Sequence, residues 1–247
     1  MDIKTNIDRS RQGFDQELHT PAFDQIIADD EHLAALIKMM DIQPGKQYLD
    51  LSTGIGYIAY ELAQKYKDIF VTGLDITPNS IQRNQVRQQQ LGLTNLDFIT
   101  YDGITYPFED HFFYGITNRY AFHHFPDPEK SIRNFNRMLV PGGFFLISDP
   151  STANEDTVSF IDQFQAFKPD GHVHFYRKTE LIHLFEKFGF KAESSFDSSV
   201  SYPRTLNPDY DRLLESTPLS IQQLYKVKIS GPQVFVTIPV INILFRK

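Results

Sequence analysis

The stretch Tyr48-Leu-Asp-Leu-Ser-Thr-Gly-Ile-Gly-Tyr-Ile-Ala59 constrains the fold more than any other part of the chain. It reads as a buried strand stopping at Asp50, a small-residue turn from Ser52 to Gly56, and the first turn of a helix. Such a turn beside a helix N-terminus exposes backbone N–H groups, which suit a polar or anionic ligand. A side chain at Gly54 or Gly56 would hold that ligand off the main chain.

The same unit then repeats. Ile69–Leu74 is a second apolar strand ending at Asp75, and Thr77 with Pro78 caps and opens the next helix. Leu96–Thr100 and Phe112–Thr117 read as third and fourth strands. Asp127-Pro128 starts a helix carrying Ile132, Phe135 and Met138, Pro141-Gly-Gly143 ends it, and Phe144–Ser148 is a fifth strand. Strands alternating with helices imply right-handed crossovers and a parallel sheet covered on both faces. Ligands of such sheets sit at the carboxyl ends of the strands. Asp50, Asp75, Asp102 and Asn118 all fall at predicted strand ends, so one rim should carry all four.

The flanks read differently. Residues 1–45 look helical and amphipathic, with Leu33, Leu36, Ile37 and Met40 at helical spacing before the Pro44-Gly45 break. Beyond Pro150, one helix is expected from Glu155 to Phe167 and another, capped by Thr179, up to Gly189. Extended segments at Lys191–Ser201 and Val234–Arg246 should close the sheet as an antiparallel pair, around a less regular stretch. The expected division is a helical cap over residues 1–42, a ligand-binding core over 43–150, and a covering insertion with the last strands over 151–247 of the same domain.

Composition excludes several function classes. The net charge of −7 disfavours nucleic acid and anionic membranes, whose phosphates require a basic surface. With zero Cys there is no disulfide, thiolate nucleophile or Cys-based zinc site. The opening Met-Asp-Ile-Lys-Thr-Asn-Ile-Asp is too polar for a signal sequence, and no apolar run could span a bilayer, so a soluble cytoplasmic protein is expected. The 22 Phe and 12 Tyr fill a core without Trp, with a few available to line an apolar pocket.

In order and spacing, these residues resemble the class I S-adenosylmethionine-dependent methyltransferases, especially the small-molecule group of the ubiquinone/menaquinone-biosynthesis type. The similarity is strong over about residues 45–150 and weaker through Phe190. It implies a Rossmann-like α/β fold: a mostly parallel seven-stranded sheet with an antiparallel last strand, helices on both faces, and an N-terminal helical cap. Leu49-Asp-Leu-Ser-Thr-Gly-Ile-Gly56 looks like the family's first motif, in which Asp50, Ser52, Thr53, Gly54 and Gly56 would surround the methionine part of S-adenosyl-L-methionine. Ser52 stands where the family commonly has Gly. Asp75, followed by Ile76, is similar to the acidic residue that takes both ribose hydroxyls; a carboxylate suits this, being acceptor-only. Phe98-Ile-Thr-Tyr-Asp102-Gly103 resembles the adenine segment, with the Asp accepting from the exocyclic amine. Asn118-Arg119-Tyr-Ala-Phe-His-His-Phe-Pro-Asp-Pro128 and Arg137-Met-Leu-Val-Pro-Gly-Gly143 match the fourth-strand motif and the turn before strand five. Tyr114 departs from the Asp that usually follows Phe there.

The resemblance implies methyl transfer to a small-molecule acceptor, yielding S-adenosyl-L-homocysteine, with no metal; it leaves the oligomeric state open. Tyr120 and Phe14 are expected to wall the acceptor, since the N-terminal helices and residues 151–230 should cover the site. His123 and His172 are the candidate bases for a phenol, hydroxyl or acidic carbon, and of the adjoining His123 and His124 only one should face the site. A nicotinamide oxidoreductase is the main rival, because Gly54-x-Gly56-x-x-Ala59 satisfies the dinucleotide fingerprint with Asp75 at fitting distance. That fingerprint does not account for Asp102-Gly103, His-His-Phe or Pro-Gly-Gly, and no Tyr-x-x-x-Lys pair follows strand five. A non-catalytic protein retaining the fold is the other alternative.

Overall fold

The computed structural model describes residues 2–17 and 29–247, so part of the expected N-terminal cap lies outside the described residues. Two helices precede the sheet, α1 (Ile3–Glu17) and α2 (Asp30–Met39). Asp29 caps α2 by accepting the His32 N–H at 2.9 Å, with Asp30 and Glu31 in the first turn to favour the helix dipole.

Strands and helices then alternate: β1 (Gln47–Leu51), α3 (Tyr57–Lys65), β2 (Phe70–Asp75), α4 (Pro78–Gln90), β3 (Leu96–Thr100), β4 (Phe113–Arg119), α5 (Pro128–Met138) and β5 (Leu139–Pro150). The five strands are parallel in the order β3-β2-β1-β4-β5. The reversal of direction beside β1 puts a crevice at the strand ends between β1 and β4.

Side-chain alternation sorts the core into two layers. Leu49, Leu51, Ile116, Phe145 and Ile147 face α5 and the later helix α7 (Lys178–Glu186) on one side. Tyr48, Val71, Phe144 and Leu146 face α2, α3 and α4 on the other. Each such fully buried side chain contributes about 1.5–3 kcal/mol, so losing either face would unfold the domain.

After β5 come α6 (Phe160–Ala166), α7, β6 (Lys191–Thr205), α8 (Pro208–Ser216), α9 (Leu219–Leu224), β7 (Lys228–Ser230) and β8 (Gln233–Arg246). β8 runs antiparallel between β5 and β6, and the three-residue β7 pairs with its start, making eight strands where seven were expected. β5 pairs only with Val240–Arg246 of β8. The other half of β8 pairs with Ser199–Thr205 and forms, with α6, α8 and α9, a third apolar cluster around Phe164, Tyr210, Tyr225 and Val236.

Two helix starts depart from expectation. α6 begins at Phe160 and not near Glu155, because the buried Asp156 carboxylate accepts the Phe160 and Ile161 N–H groups at 2.9 and 3.2 Å. Arg177, not Thr179, caps α7, its N–H donating to Glu180 Oε2 at 2.9 Å. Among the described residues no helix is long and apolar enough to cross a membrane.

Candidate cofactor and acceptor site

The turn after β1 is held by two buried carboxylates. Asp50 Oδ2 accepts from Thr53 Oγ1 at 2.6 Å and from the Ala59 N–H at 3.2 Å, while Oδ1 accepts from Thr117 Oγ1 of β4 at 2.8 Å. Burial outweighs these bonds and pushes the Asp50 carboxyl up to about 6. Asp75 Oδ2 accepts the Gly54 N–H at 2.8 Å, and its Oδ1 takes the Thr77 N–H and hydroxyl at 3.0 and 2.6 Å. Thr77 thus spends its hydroxyl on Asp75 and makes no side-chain cap for α4. Burial raises the Asp75 carboxyl as well.

From α4, Ser80 Oγ and Asn84 Nδ2 donate to the Gly54 carbonyl at 2.9 and 2.8 Å. Ser52 and Gly54 adopt φ of +57° and +51°, a left-handed path that a glycine takes without strain and a serine does not. The turn is therefore set before any ligand arrives.

Over this turn opens a cavity of about 1020 Å³, counting its mouth. Asp50, Ser52, Thr53 and Gly54 line it from the turn, Asp75 and Ile76 from the end of β2, and Arg119 and Tyr120 from the end of β4. Gly103 and Phe14 also line it. Gly56, Asp102, Asn118, His123 and His172 are not part of the wall. Gly56 starts α3, its N–H donating to Thr53 O at 2.8 Å. Asn118, near the end of β4, is buried and donates from Nδ2 to Leu51 O at 3.0 Å. Asp102 lies at the surface, where Oδ1 accepts the Ile104 and Thr105 N–H groups at 2.7 and 2.6 Å.

Of the three neighbouring histidines it is His124 that lines the cavity. His123 Nδ1 lies 3.0 Å from Asp149 Oδ1, and the Asp149 carboxyl also accepts the His123 backbone N–H. His172 Nε2 lies 2.9 Å from Asp162 Oδ1, and Asp162 Oδ2 lies 2.9 Å from His174 Nδ1. The carboxylates thus hold both expected bases behind the wall. The sequence indicates one wall histidine in the His-His pair but not which, since adjacent residues point to different sides and an intervening short helix (Phe122–His124) resets the phase.

Arg119 stacks its guanidinium between the Tyr57 and Tyr120 rings, 4.7 and 4.1 Å from their centroids. Tyr120 itself sits at φ +54°, its N–H donating to Ser148 O at 2.8 Å. Such an outlier on a bulky residue marks a position fixed by its surroundings.

α1 closes the top. Arg11 Nε donates to Ile76 O and Asn79 Nδ2 to Asp15 Oδ2, both at 3.0 Å, and Asn6 Nδ2 donates to Gly171 O at 3.0 Å. Phe14 meets His124 edge-on with ring centroids 5.0 Å apart. Ile7 and Ser10 of this helix, and Tyr101, Ala121 and Phe125, also line the cavity without having been singled out in the sequence.

The architecture is that of the class I methyltransferases, and the chain belongs to the methyltransferase-domain family, whose sequence profile matches residues 26–195. Among its relatives is YcgJ of Bacillus subtilis, an uncharacterized methyltransferase, 30% identical over 152 residues that cover 61% of this chain and 59% of YcgJ. The crystal structure of YcgJ superposes with a TM-score of 0.76 at 19% identity, over 89% of this chain and 99% of that one. A candidate methyltransferase from Bacillus halodurans C-125 superposes with a TM-score of 0.77 at 23% identity, over 88% and 99% of the two chains. Phosphoethanolamine N-methyltransferase 2 of Caenorhabditis elegans is 30% identical over 119 residues, 48% of this chain and 27% of that enzyme. The chain spans less than two thirds of the length of these curated relatives.

Proposed function

We propose that this protein transfers a methyl group from S-adenosyl-L-methionine to a small-molecule acceptor by in-line displacement. The observation that carries the reading is one cavity at the strand ends that brings the fixed Ser52–Gly54 turn, the Asp75 carboxylate and the His124 imidazole together. Its mixed lining, polar at the turn and apolar along Ile7, Phe14 and Tyr120, suits a nucleoside-bearing cofactor with a small acceptor beside it. Family membership and the methyltransferase relatives support the same activity.

The donor set fits the cofactor. Asp75 Oδ1 is filled by the Thr77 N–H and hydroxyl, while Oδ2 keeps a lone pair beyond its bond to Gly54, enough for one ribose hydroxyl. Tyr101 and Gly103 would line the adenine end, while Asp102, outside the wall, holds the turn beside it through Oδ1. Arg119, braced by two tyrosine rings, would hold the methionine carboxylate, while the Ser52–Gly54 backbone cradles the chain leading to it. When bound, the cofactor supplies an activated methyl on a sulfonium.

The chain's own residues then align and desolvate. Tyr120 and Phe14 wall the place where the methyl should emerge, α1 keeps water out, and holding the nucleophile ~3–3.5 Å from the methyl could supply several kcal/mol. His124 is placed to take the acceptor's proton. Burial and the neighbouring His123 hold it well below the usual 6.5, so the ring is neutral and free to accept at pH 7. The surplus of acidic residues supports a small molecule over nucleic acid, and a soluble, cytoplasmic setting agrees with that.

The test is a thermal-shift and calorimetric titration with S-adenosylhomocysteine and NAD in parallel. S-adenosylhomocysteine should raise the apparent stability, by about 2.7 kcal/mol at a hundredfold excess over Kd. A flat response to it, with stabilisation by NAD, would overturn the proposal.

A further inference from the structure

The parallel pairing of β4 with β5 ends at Arg119, opposite Ser148, so Asp149 stands one residue past the point where β4 can answer it. On its other side Asp149 is still held in the sheet, opposite Ile241 of β8. Its carboxyl group takes the place of the missing ladder. Oδ2 accepts the His123 N–H at 3.0 Å, and Oδ1 meets His123 Nδ1 at 3.0 Å. One residue earlier, Ser148 O accepts the Tyr120 N–H at 2.8 Å. Two successive residues of β5 thus fix both ends of the segment that follows β4.

His124 comes next in the same short helix, its N–H donating to Ala121 O at 3.0 Å. Its ring lies 4.1 Å from the His123 ring, centroid to centroid, and lines the cavity that His123 stays behind. His123 O accepts the Val173 and His174 N–H groups at 2.9 and 3.2 Å, and Gly171 just before them takes the Asn6 amide of α1. His123 is therefore bonded at its N–H, its ring and its carbonyl, and Asp149 supplies two of the three partners. Both side chains are buried, at 2% and 5% exposure. Burial pushes the Asp149 carboxyl up to about 8 and the His123 ring well below its usual 6.5. At pH 7 the pair is neutral, with the carboxyl proton between Oδ1 and Nδ1.

We propose that Asp149 is the positioning residue for His124: by gripping His123 through main chain and ring together, it sets where the neighbouring imidazole stands in the cavity wall. This rests on the reading of His124 as the group that takes the acceptor's proton, and it names what places that group. A base works only within hydrogen-bond reach of its proton, so a displacement of about 1 Å matters. Phe175 and His172 also touch the His123 ring, with centroids 4.8 and 5.6 Å away, but ring contacts leave its rotation free. Bonds at Oδ1 and Oδ2 remove that freedom. An amide in place of the carboxyl keeps both, its oxygen accepting the N–H and its NH₂ donating to Nδ1. A valine suits the strand and keeps neither.

The experiment records ring signals of histidine-labelled protein by NMR, with calorimetry of S-adenosylhomocysteine on the same samples. The His123 and His124 signals are assigned by their loss in His123→Gln and His124→Gln. Asp149→Val should move both by more than their linewidth while those of His111 and His183, on other elements, stay in place. Asp149→Asn should restore both to near their wild-type positions, a rescue that general loss of packing does not predict. Asp149→Ala keeps the test open should Asp149→Val fold poorly. Unmoved His124 signals in a folded Asp149→Val or Asp149→Ala variant overturn the assignment, and so does an equal disturbance in Asp149→Asn. S-adenosylhomocysteine should bind every Asp149 variant within about threefold of wild type, because Asp149 is no part of the cavity wall. A tenfold loss in Asp149→Val would mean that the carboxyl shapes the cofactor side, and overturns the assignment too. A wild-type protein that does not bind S-adenosylhomocysteine overturns the methyltransferase reading itself, which the calorimetry tells apart from a failure of the grip.

Discussion

Asp75 accepts the Gly54 N–H through Oδ2 at 2.8 Å, so the carboxylate at the end of β2 fixes the glycine turn that follows β1. One side chain thereby shapes the turn and remains available to a ligand. Asp75→Asn presents an amide N–H to the Gly54 N–H or to the Thr77 donors, and one of these buried donors loses its acceptor. Stability should fall by about 1–3 kcal/mol. S-adenosylhomocysteine should bind at least tenfold more weakly, because both the ribose contact and the turn are affected. Denaturant unfolding and calorimetry read the two effects separately, and unchanged affinity in a folded variant would remove the ribose role.

Ser52 tests the backbone alone. At φ +57° it occupies a region that costs a non-glycine residue about 1 kcal/mol, so Ser52→Gly should raise the unfolding free energy by roughly that amount. Ser52→Val, β-branched and bulky, should lower it. If the glycine variant is less stable than wild type, the hydroxyl contributes more than the strain removes.

Asp50 sets a pH dependence. Burial raises its folded-state carboxyl to about 6 from an ordinary value of 3.8. Between these limits the folded protein holds a proton that the unfolded chain has released, so stability falls as pH rises from about 4 to about 6. The effect is roughly 3 kcal/mol in all for a shift of this size. Asp50→Asn should lack this decline, which makes the variant relatively more stable at pH 7 than at pH 4 when each is compared with wild type. Parallel stability–pH curves for the two proteins would show that Asp50 does not titrate in this window.

Gly171 governs the closure by α1. A Cβ there would lie 2.2 Å from Ser10 Oγ and 2.9 Å from Asn6 O, at a φ of +74°. Gly171→Ala must therefore push α1 from the turn it rests on, and overpacking of this kind costs roughly 1–3 kcal/mol. Limited proteolysis should cut within α1 severalfold faster while the sheet stays protected. Equal cleavage in variant and wild type would show that α1 is held by other contacts.

The strands β1 to β4 and the centre of β5 were legible because each is an apolar run bounded by glycine, proline or a carboxylate; β5 nevertheless begins at Leu139, five residues early, so Pro141-Gly-Gly143 lies inside the strand and does not end the helix, which stops at Met138. Asp50, Asp75 and the Ser52–Gly54 turn were legible for the same reason: a strand end beside a glycine turn has one geometry. The start of α6 was not, because Asp156 caps it from a turn whose path depends on the Tyr225 hydroxyl, 2.8 Å from Asp156 Oδ2 and far along the chain. Nor was the preference for His124 over His123, which follows from Asp149 claiming His123 across a strand. Ser10 carried no sequence signal, since a serine on a polar helix acquires meaning only from what the helix covers.

The two halves of β8 have different freedom to change. Val240–Arg246 is locked in register by β5 on one side and β6 on the other, and a slip by one residue would turn Ile243 and Phe245 away from their core face. Gln233–Pro239 pairs as a strand only with β6 and β7, and the connection it closes, residues 206–232, enters the sheet only through the three-residue β7 at its edge. Insertions or exchanges in that connection leave the foundations of the strand-end cavity intact at a modest loop-closure cost. A lineage or a designer could therefore re-equip this end of the molecule, grafting a longer hairpin or a new helix pair, without re-solving the fold.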